Sequence, residues 1–495
     1  MKRLKMRDDD RSHDVDWPDI DRRQGLQLYG GRRPFRKIRV MVDNELLDAT
    51  PVGQAPATER QLLTELLVHE LVRLIKYADD GPPPAALGKD GWATDWAIVE
   101  PTTVPNMSWA VKISTTPDSQ ARASIFGNWP DAAEADHRSP AYSHLPAEEA
   151  ARRRRTDAIA AQVAAQAVGA DIYVTERPYL HAVTWELARG VVICSPLEAL
   201  AVLGLYFRTQ GVFPVAQRYS FNRGLFYWVG MRELLPEAWR WFGSCVNHSL
   251  KTKDHGLMVL SGSLLQRVDR ALETRDEIHL ALNQPQDHDT QESALSNLDV
   301  VLILLMAAVD VAARVAHRIL GLSAEEYRAA WQSSKWRDQV RSSAPNLAAV
   351  VDTGSRGEAV LSILRLLRNS VHGTALQGMA FQSELRSREN FVVLPEADRE
   401  DVRLAMEKLG GLGVWGLGTP WRDRLHLDAA VFADRLMIEV VAFLNDLMRE
   451  TPVERLPNAD LKDADKAPPA GKPGRDITDE YAPWIRRSIR WQLGL

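Results

Sequence analysis

The stretch Gly169-Ala-Asp171-Ile-Tyr-Val-Thr175-Glu176-Arg177-Pro178, followed by Val191-Val-Ile-Cys194-Ser195-Pro196, decides how this chain folds. A β-rich run after Gly169 predicts a strand over 171–175, and Pro178 opens a helix over 178–187. A second strand is predicted over 191–194. Ser195-Pro196 then caps and starts a helix that runs to Phe207. Upstream, residues 148–168 read as a helix closed by Gly169, and Lys37-Ile-Arg-Val-Met-Val-Asp43 reads as a lead strand ending on a carboxylate. Strands separated by helices imply a parallel sheet with crossover connections, and such sheets collect ligands at the carboxyl ends of their strands. Asp43 and Thr175-Glu176 stand at that edge.

Working outward, Leu62, Leu63, Leu66, Leu67, Leu71, Leu74 and Ile75 recur at helical spacing and predict one helix over 58–77, with Thr58 as N-cap. Two short strands are expected at 96–99 and 109–113. Past residue 210 the pattern becomes helical and aromatic-rich, with Tyr227, Trp228, Trp239 and Trp241. Helices are predicted at 298–320, around 324–340, and at 358–371 and 429–448. An irregular insertion carries Gly410, Gly411, Gly413, Gly416 and Gly418. Those glycines lack the order and the flanking strand of a phosphate-binding fingerprint and read as a turn-rich loop. Asp287-His288-Asp289 could hold a metal but reads rather as a solvated turn, because metal sites draw ligands from several elements.

The expected organisation is a flexible lead-in at 1–36, an α/β domain at 37–210, an aromatic-rich helical connector at 211–295, a helical domain at 296–450, and a linker with a C-terminal docking helix at 451–495. At 495 residues, more than one hydrophobic core is expected. The composition, 45% hydrophobic and 26% charged, is that of an ordinary globular protein. A net charge of −5 argues against wholesale polyanion binding while permitting a local basic groove. Two cysteines, Cys194 and Cys245, build neither a disulfide framework nor a zinc site on their own. With no signal peptide and no run long enough to span a bilayer, a cytoplasmic protein without a membrane partner is expected.

Arg365-Leu-Leu-Arg368-Asn369-Ser-Val-His372-Gly373 sets two guanidiniums and an imidazole at helical spacings of three, four and seven, along one stripe. Such a stripe suits phosphate chemistry, since Arg grips phosphate oxygens in pairs and His moves protons near neutral pH. The same order of residues would also simply end a helix, with cations in its last turn and glycine beyond.

Residues 37–207 resemble a PIN-type nuclease domain. The resemblance is carried by Ile38-Arg-Val-Met-Val-Asp43-Asn-Glu-Leu-Leu and by the run from Thr156-Asp157 to Asp171-Ile-Tyr-Val-Thr175-Glu176. It implies a site for Mg²⁺ or Mn²⁺ at Asp43, Asp157 and Glu176. A further acidic ligand is left open among Glu65, Glu70 and Glu100. Besides that unassigned ligand, the chain departs from the pattern after the Thr: the family has Asp two positions on, where Arg177 stands here and the acid has moved to Glu176. That leaves room for a degenerate site that binds RNA without cutting it.

Residues 296–450 are similar to HEPN domains, all-helical bundles that carry Arg, often Arg-Asn, and a His on one helix. The resemblance implies Arg365, Arg368, Asn369 and His372 as the site, without a metal, in a homodimer whose two stripes face each other. Either Arg can be the functional one, since Arg368 to His372 is one residue shorter than that family usually allows and Arg365 to His372 fits. Together the resemblances imply an α/β domain with a parallel sheet followed by an all-α bundle. The implied function is RNA targeting, of the toxin or defence ribonuclease kind. The alternative is a non-catalytic dimerising sensor or interaction protein built on degenerate nuclease folds.

Overall fold

The computed structural model describes residues 36–50, 52, 57–79, 95–100, 110–116, 119–124, 129–182, 191–216, 219–284, 287–370, 376–381, 389–396, 398–417, 425–459 and 482–495. Most of the expected lead-in, the 460–481 part of the expected linker, and His372 lie outside them.

In the α/β half, Ile38–Asp43 forms β1, Glu59–Leu67 α1, Val72–Ala78 β2, Asp95–Glu100 β3, Ala110–Thr116 β4 and Ser119–Ser124 β5. Trp129–Ala135 forms α2, Ala147–Gln162 α3, Ile172–Val174 β6, Pro178–Ala182 α4, Val192–Cys194 β7 and Pro196–Thr209 α5. The strands make one sheet in the order β5-β4-β3-β2-β1-β6-β7. The five strands from β3 to β7 are parallel, and β4 and β5 extend the sheet antiparallel.

Alternation along each strand sorts the side chains between two layers. Val40, Val42, Leu74, Ile172 and Val174 pack with Leu62, Leu66, Leu200 and Leu203 of α1 and α5. Met41, Ile75, Tyr77 and Tyr173 pack on the other face against Ala158 and Ala161 of α3. The small alanines let α3 lie close to the sheet, which brings its Asp157 within reach of the strand ends. Helix α3 continues through a π-helical turn at Val163–Val168 and stops at Gly169, whose φ of +59° is the left-handed conformation glycine adopts most easily. Ser195 caps α5 reciprocally with Glu198, and Thr58 caps α1 with Gln61.

The helix expected over 58–77 ends instead at Leu67, and its second half is the strand β2. Leu71, Leu74 and Ile75 match a helical repeat by coincidence. Leu74 faces one layer and Ile75 the other, as neighbours in a doubly buried strand must.

Beyond residue 210 the chain is mostly helical. Pro214–Ala216 (β8) and Tyr219–Ser220 (β9) form a short ribbon. Then come Arg223–Leu234 (α6), Ala238–Thr252 (α7), Gly256–Leu282 (α8), His288–Leu320 (α9), Ser334–Ser343 (α10), Pro345–Ala349 (α11) and Arg356–Ser370 (α12). Gln377–Phe381 (β10), Glu389–Val393 (β11), Arg399–Lys408 (α13), His426–Asp428 (β12), Ala429–Glu450 (α14) and Pro483–Gln492 (α15) complete the elements. Helices α8 and α9 form a long hairpin, joined where Asp287 caps α9. That capping role accounts for Asp287 in the segment read as a solvated turn.

Two features differ from an all-α bundle preceded by a connector. The insertion before α14 contains a three-stranded antiparallel sheet, β10-β11-β12. Its sequence signal is short, and it is masked by the glycine-rich turns around it, where Gly410, Gly411 and Gly416 have positive φ. The segment 211–295 shares the core of the helical half: Phe226, Trp241, Leu264 and Leu272 join Leu302, Val309, Leu364 and Leu444 in one buried cluster. Among the described residues no helix is long and apolar enough to cross a membrane.

Candidate functional site

The carboxyl ends of β1, β2 and β6 bring together a cluster of acidic and aromatic groups around one guanidinium. Alternation places Asp43 on the same face as Met41, Tyr77 on the face of Ile75, and Thr175 on the face of Tyr173, all toward α3. Asp43 is almost wholly buried at 1% exposure, and its two carboxylate oxygens are fully engaged. Tyr173 donates to Oδ1 at 2.7 Å, Thr175 donates to Oδ2 at 2.5 Å, and Arg177 Nε donates to Oδ2 at 3.1 Å.

Arg177 reaches two further carboxylates. Its Nη2 donates to Asp79 Oδ2 at 2.9 Å and its Nη1 to Asp157 Oδ1 at 3.4 Å. The guanidinium carbon lies 5.4 Å from the centre of the Tyr77 ring, so a cation–π contact backs the ion pairs. The backbone holds the arginine as well, because its N–H donates to Thr175 Oγ1 at 3.1 Å. Asp157 also accepts from the Tyr142 hydroxyl at 2.9 Å and from the Tyr179 N–H at 3.4 Å. Burial pushes the Asp157 carboxyl up to about 6, with Arg177 and the hydrogen bond from Tyr142 working in the opposite direction. Burial likewise raises the Tyr173 and Tyr77 hydroxyls, so both stay protonated.

Two of the three carboxylates expected to hold a divalent ion, Asp43 and Asp157, therefore meet, and they meet on Arg177. Glu176 does not join them. It sits one position out of phase with Thr175, on the opposite face, where it pairs with Arg60 of α1 at 2.5 Å with both side chains well exposed. Asp79 takes the third place, directly after β2. Among the other acids considered, Glu65 belongs to α1 on the far side of the sheet, and Glu70 precedes β2 at the sheet's opposite edge. Among the described residues no three His, Cys, Asp or Glu side chains converge in a metal-holding arrangement. The three acids instead spread around the prongs of a guanidinium, so the residues present do not fit Mg²⁺ or Mn²⁺ while Arg177 is in place.

The second candidate lies on α12. Ala359, Val360, Ile363, Leu364 and Leu367 bury one side of it, while Arg365 and Asn369 are exposed and Arg368 is half-buried. The helix is anchored near its start, where Arg356 pairs at 2.5 Å with Glu439 of α14, a carboxylate shared with Arg435 at 2.6 Å. Arg368 lies within the field of Asp310 on α9. Burial raises the Asp310 carboxyl, and Arg368 and Arg314 oppose that rise. The stripe is thus split: Arg365 and Asn369 face solvent, and Arg368 faces an acid of the neighbouring helix. On α9 itself, Val300 and Ile303 leave 42% and 41% of their surface exposed.

Asp79 and the central role of Arg177 escape the sequence pattern. Reading 72–78 as a strand would have exposed Asp79 as the acid that follows it, in the way Asp43 closes β1. Compared with protein-family models, with curated proteins and with solved structures, the chain matches none.

Proposed function

We propose that this chain is a cytoplasmic RNA-targeting ribonuclease of the toxin or defence kind, with a PIN-like α/β half and a HEPN-like helical half, and that the helical half carries the cleavage. The observation that supports it is the arrangement on α12, where Arg365 and Asn369 are open to solvent beside a half-buried Arg368. Arg365 is free to grip a phosphate through paired hydrogen bonds, and Asn369 adds a donor one turn on. His372 follows in sequence, outside the described residues, as the proton carrier. In the proposed step the ribose 2′-oxygen bonds to phosphorus as the bond to the 5′-oxygen breaks. His372 takes the 2′ proton and delivers one to the leaving oxygen. The product is a 2′,3′-cyclic phosphate.

The exposed Val300 and Ile303 of α9 suit contact with a second copy of the chain, which would set two stripes face to face. A 2′-O-methylated RNA tests the reading. It should bind and resist cleavage, whereas cutting of that substrate would rule out attack by the 2′-hydroxyl.

A second reading, a non-catalytic dimerising sensor, is favoured by the engagement of Asp43, Asp79 and Asp157 with Arg177 in the α/β half. It predicts RNA binding with no cleavage of unmodified RNA under any metal condition.

A further inference from the structure

We infer that the cleft between α6, α14 and α15 binds a small amphipathic anion, an apolar body carrying a carboxylate, with Arg490 gripping the head and the face of α14 holding the body. None of the residues lining the cleft belongs to α12, so the inference stands apart from the RNA reading.

The first observation is the cleft itself. It encloses about 420 Å³, a size suited to a small molecule, and clefts between packed helices are a common place for such sites. Leu234 of α6 and Met437, Ile438, Val441 and Ala442 of α14 line it. Ile438 is 41% exposed and Ala442, one turn on, is open as well, so apolar surface meets water here and burying it is favourable. One wall is preformed. Asn445 accepts the Glu237 N–H at 3.3 Å and donates to the Leu234 carbonyl at 2.9 Å, which pins the turn between α6 and α7 to α14.

The second observation is the unspent polar rim, made by Glu233 and Arg490. Arg490 donates through Nε to the Leu495 main-chain oxygen at 3.1 Å, and its two terminal nitrogens make no hydrogen bond among the described residues. Glu233 accepts none either. Arg486 Nη1 stands 3.7 Å from its carboxylate, too far for a hydrogen bond, and Arg486 Nε is buried without a partner. Against this one carboxylate stand three guanidiniums, Arg486, Arg487 and Arg490. The field at the rim therefore favours an anion, and a planar guanidinium with two free nitrogens matches a carboxylate.

Occupancy would reach beyond the cleft. Arg490 belongs to α15, the helix that Arg208 and Arg275 hold through the Gln492 and Leu493 carbonyls. An anion bridging Arg490 and α14 clamps that helix in place, and it stabilises the fold in proportion to its binding.

The test is a calorimetric titration of the full chain with decanoate, kept below its micelle-forming concentration, beside the cationic decyltrimethylammonium. Decanoate should bind saturably at one per chain and raise the melting temperature, and the cation should bind about tenfold or more weakly. Arg490→Gln should weaken decanoate by a similar factor, and Glu233→Gln, which removes the opposing charge, should tighten it. Ala442→Trp, which fills the cleft from an open position on α14, should abolish binding. Should the Trp variant fail to fold, Arg490→Gln and the comparison of the two amphiphiles decide the matter. Absence of saturable decanoate binding overturns the inference. So does equal binding of the two amphiphiles, or decanoate binding that Arg490→Gln leaves unchanged.

Discussion

Arg208, near the end of α5, closes two hydrogen bonds on Asp276 of α8, at 2.5 Å from Nε and 3.2 Å from Nη2, with both side chains under a tenth exposed. This pair joins the α/β half to the helical half. The Tyr227 hydroxyl donates to the same carboxylate at 2.7 Å, and Arg208 Nη1 donates to the Gln492 carbonyl of α15 at 2.9 Å. Burial disfavours a charged Asp276, but Arg208, Arg275 and Tyr227 more than offset it and leave the carboxyl below its ordinary value. Arg275 ties in the end of α15 through the Leu493 carbonyl at 2.7 Å and pairs with Asp434 of α14 at 2.5 Å.

Arg208→Ala should therefore cost about 3–5 kcal/mol, because it strands a buried carboxylate. Replacing Arg208 and Asp276 together by apolar residues should cost clearly less than the single change. Urea unfolding of the three proteins measures both. The wild-type halves should lose structure in one transition.

Gly204 on α5 faces the same junction. A Cβ there would meet Gln492 Cβ at 2.7 Å and the Gln492 carbonyl oxygen at 2.8 Å. Gly204→Ala should destabilise by roughly 1–3 kcal/mol, because α15 must shift. Its helix propensity alone would predict a gain, so the sign of the change in melting temperature decides the matter.

The parallel sheet was legible because Gly169, Pro178 and Ser195-Pro196 punctuate β6, α4 and α5 locally. Strand β2 was not, since in Val72-Arg-Leu-Ile-Lys-Tyr-Ala78 the doubly buried residues erase the alternation that marks a strand. With β2 hidden, Asp79 had no context. Asp43 and Asp157 were readable as a pair because a strand end and an alanine-faced helix flank them. Glu176 lies out of phase with that pair: Thr175 points inward, so its neighbour points out and meets Arg60. The junction at Arg208 and Asp276 spans 68 residues and relies on α15 more than 200 residues further on, beyond what local pattern reveals.

Asp157 should give the folded state a distinct pH dependence. Its folded value of about 6 lies above its ordinary value of 3.8, so the native state binds the extra proton between them. Its contribution to stability is complete below pH about 4 and is lost as pH rises through about 6. Relative to Asp157→Asn, wild type should lose on the order of 2–3 kcal/mol across that window and run parallel above it. Paired denaturation curves at several pH values check this. A difference that grows in favour of wild type as pH rises would contradict it.

Glu176→Gln should be nearly silent. The pair with Arg60 is 45% and 40% exposed, and such pairs contribute about 0–1 kcal/mol. Asp79→Asn, at a side chain 38% exposed, should weaken the hold on Arg177 more than Glu176→Gln affects anything. Melting temperatures of the two variants, measured side by side, rank them.

The most direct measurement is cleavage of a single-stranded RNA in EDTA by wild type, Asp43→Asn and His372→Ala, each first shown to be folded. Wild type and Asp43→Asn should cut at comparable rates and leave 2′,3′-cyclic phosphate ends, while His372→Ala should lose cleavage. Cutting that stops in EDTA, returns with Mg²⁺ or Mn²⁺, and disappears in Asp43→Asn would place the chemistry in the α/β half and contradict both the proposed site and the closed state of the Arg177 pocket.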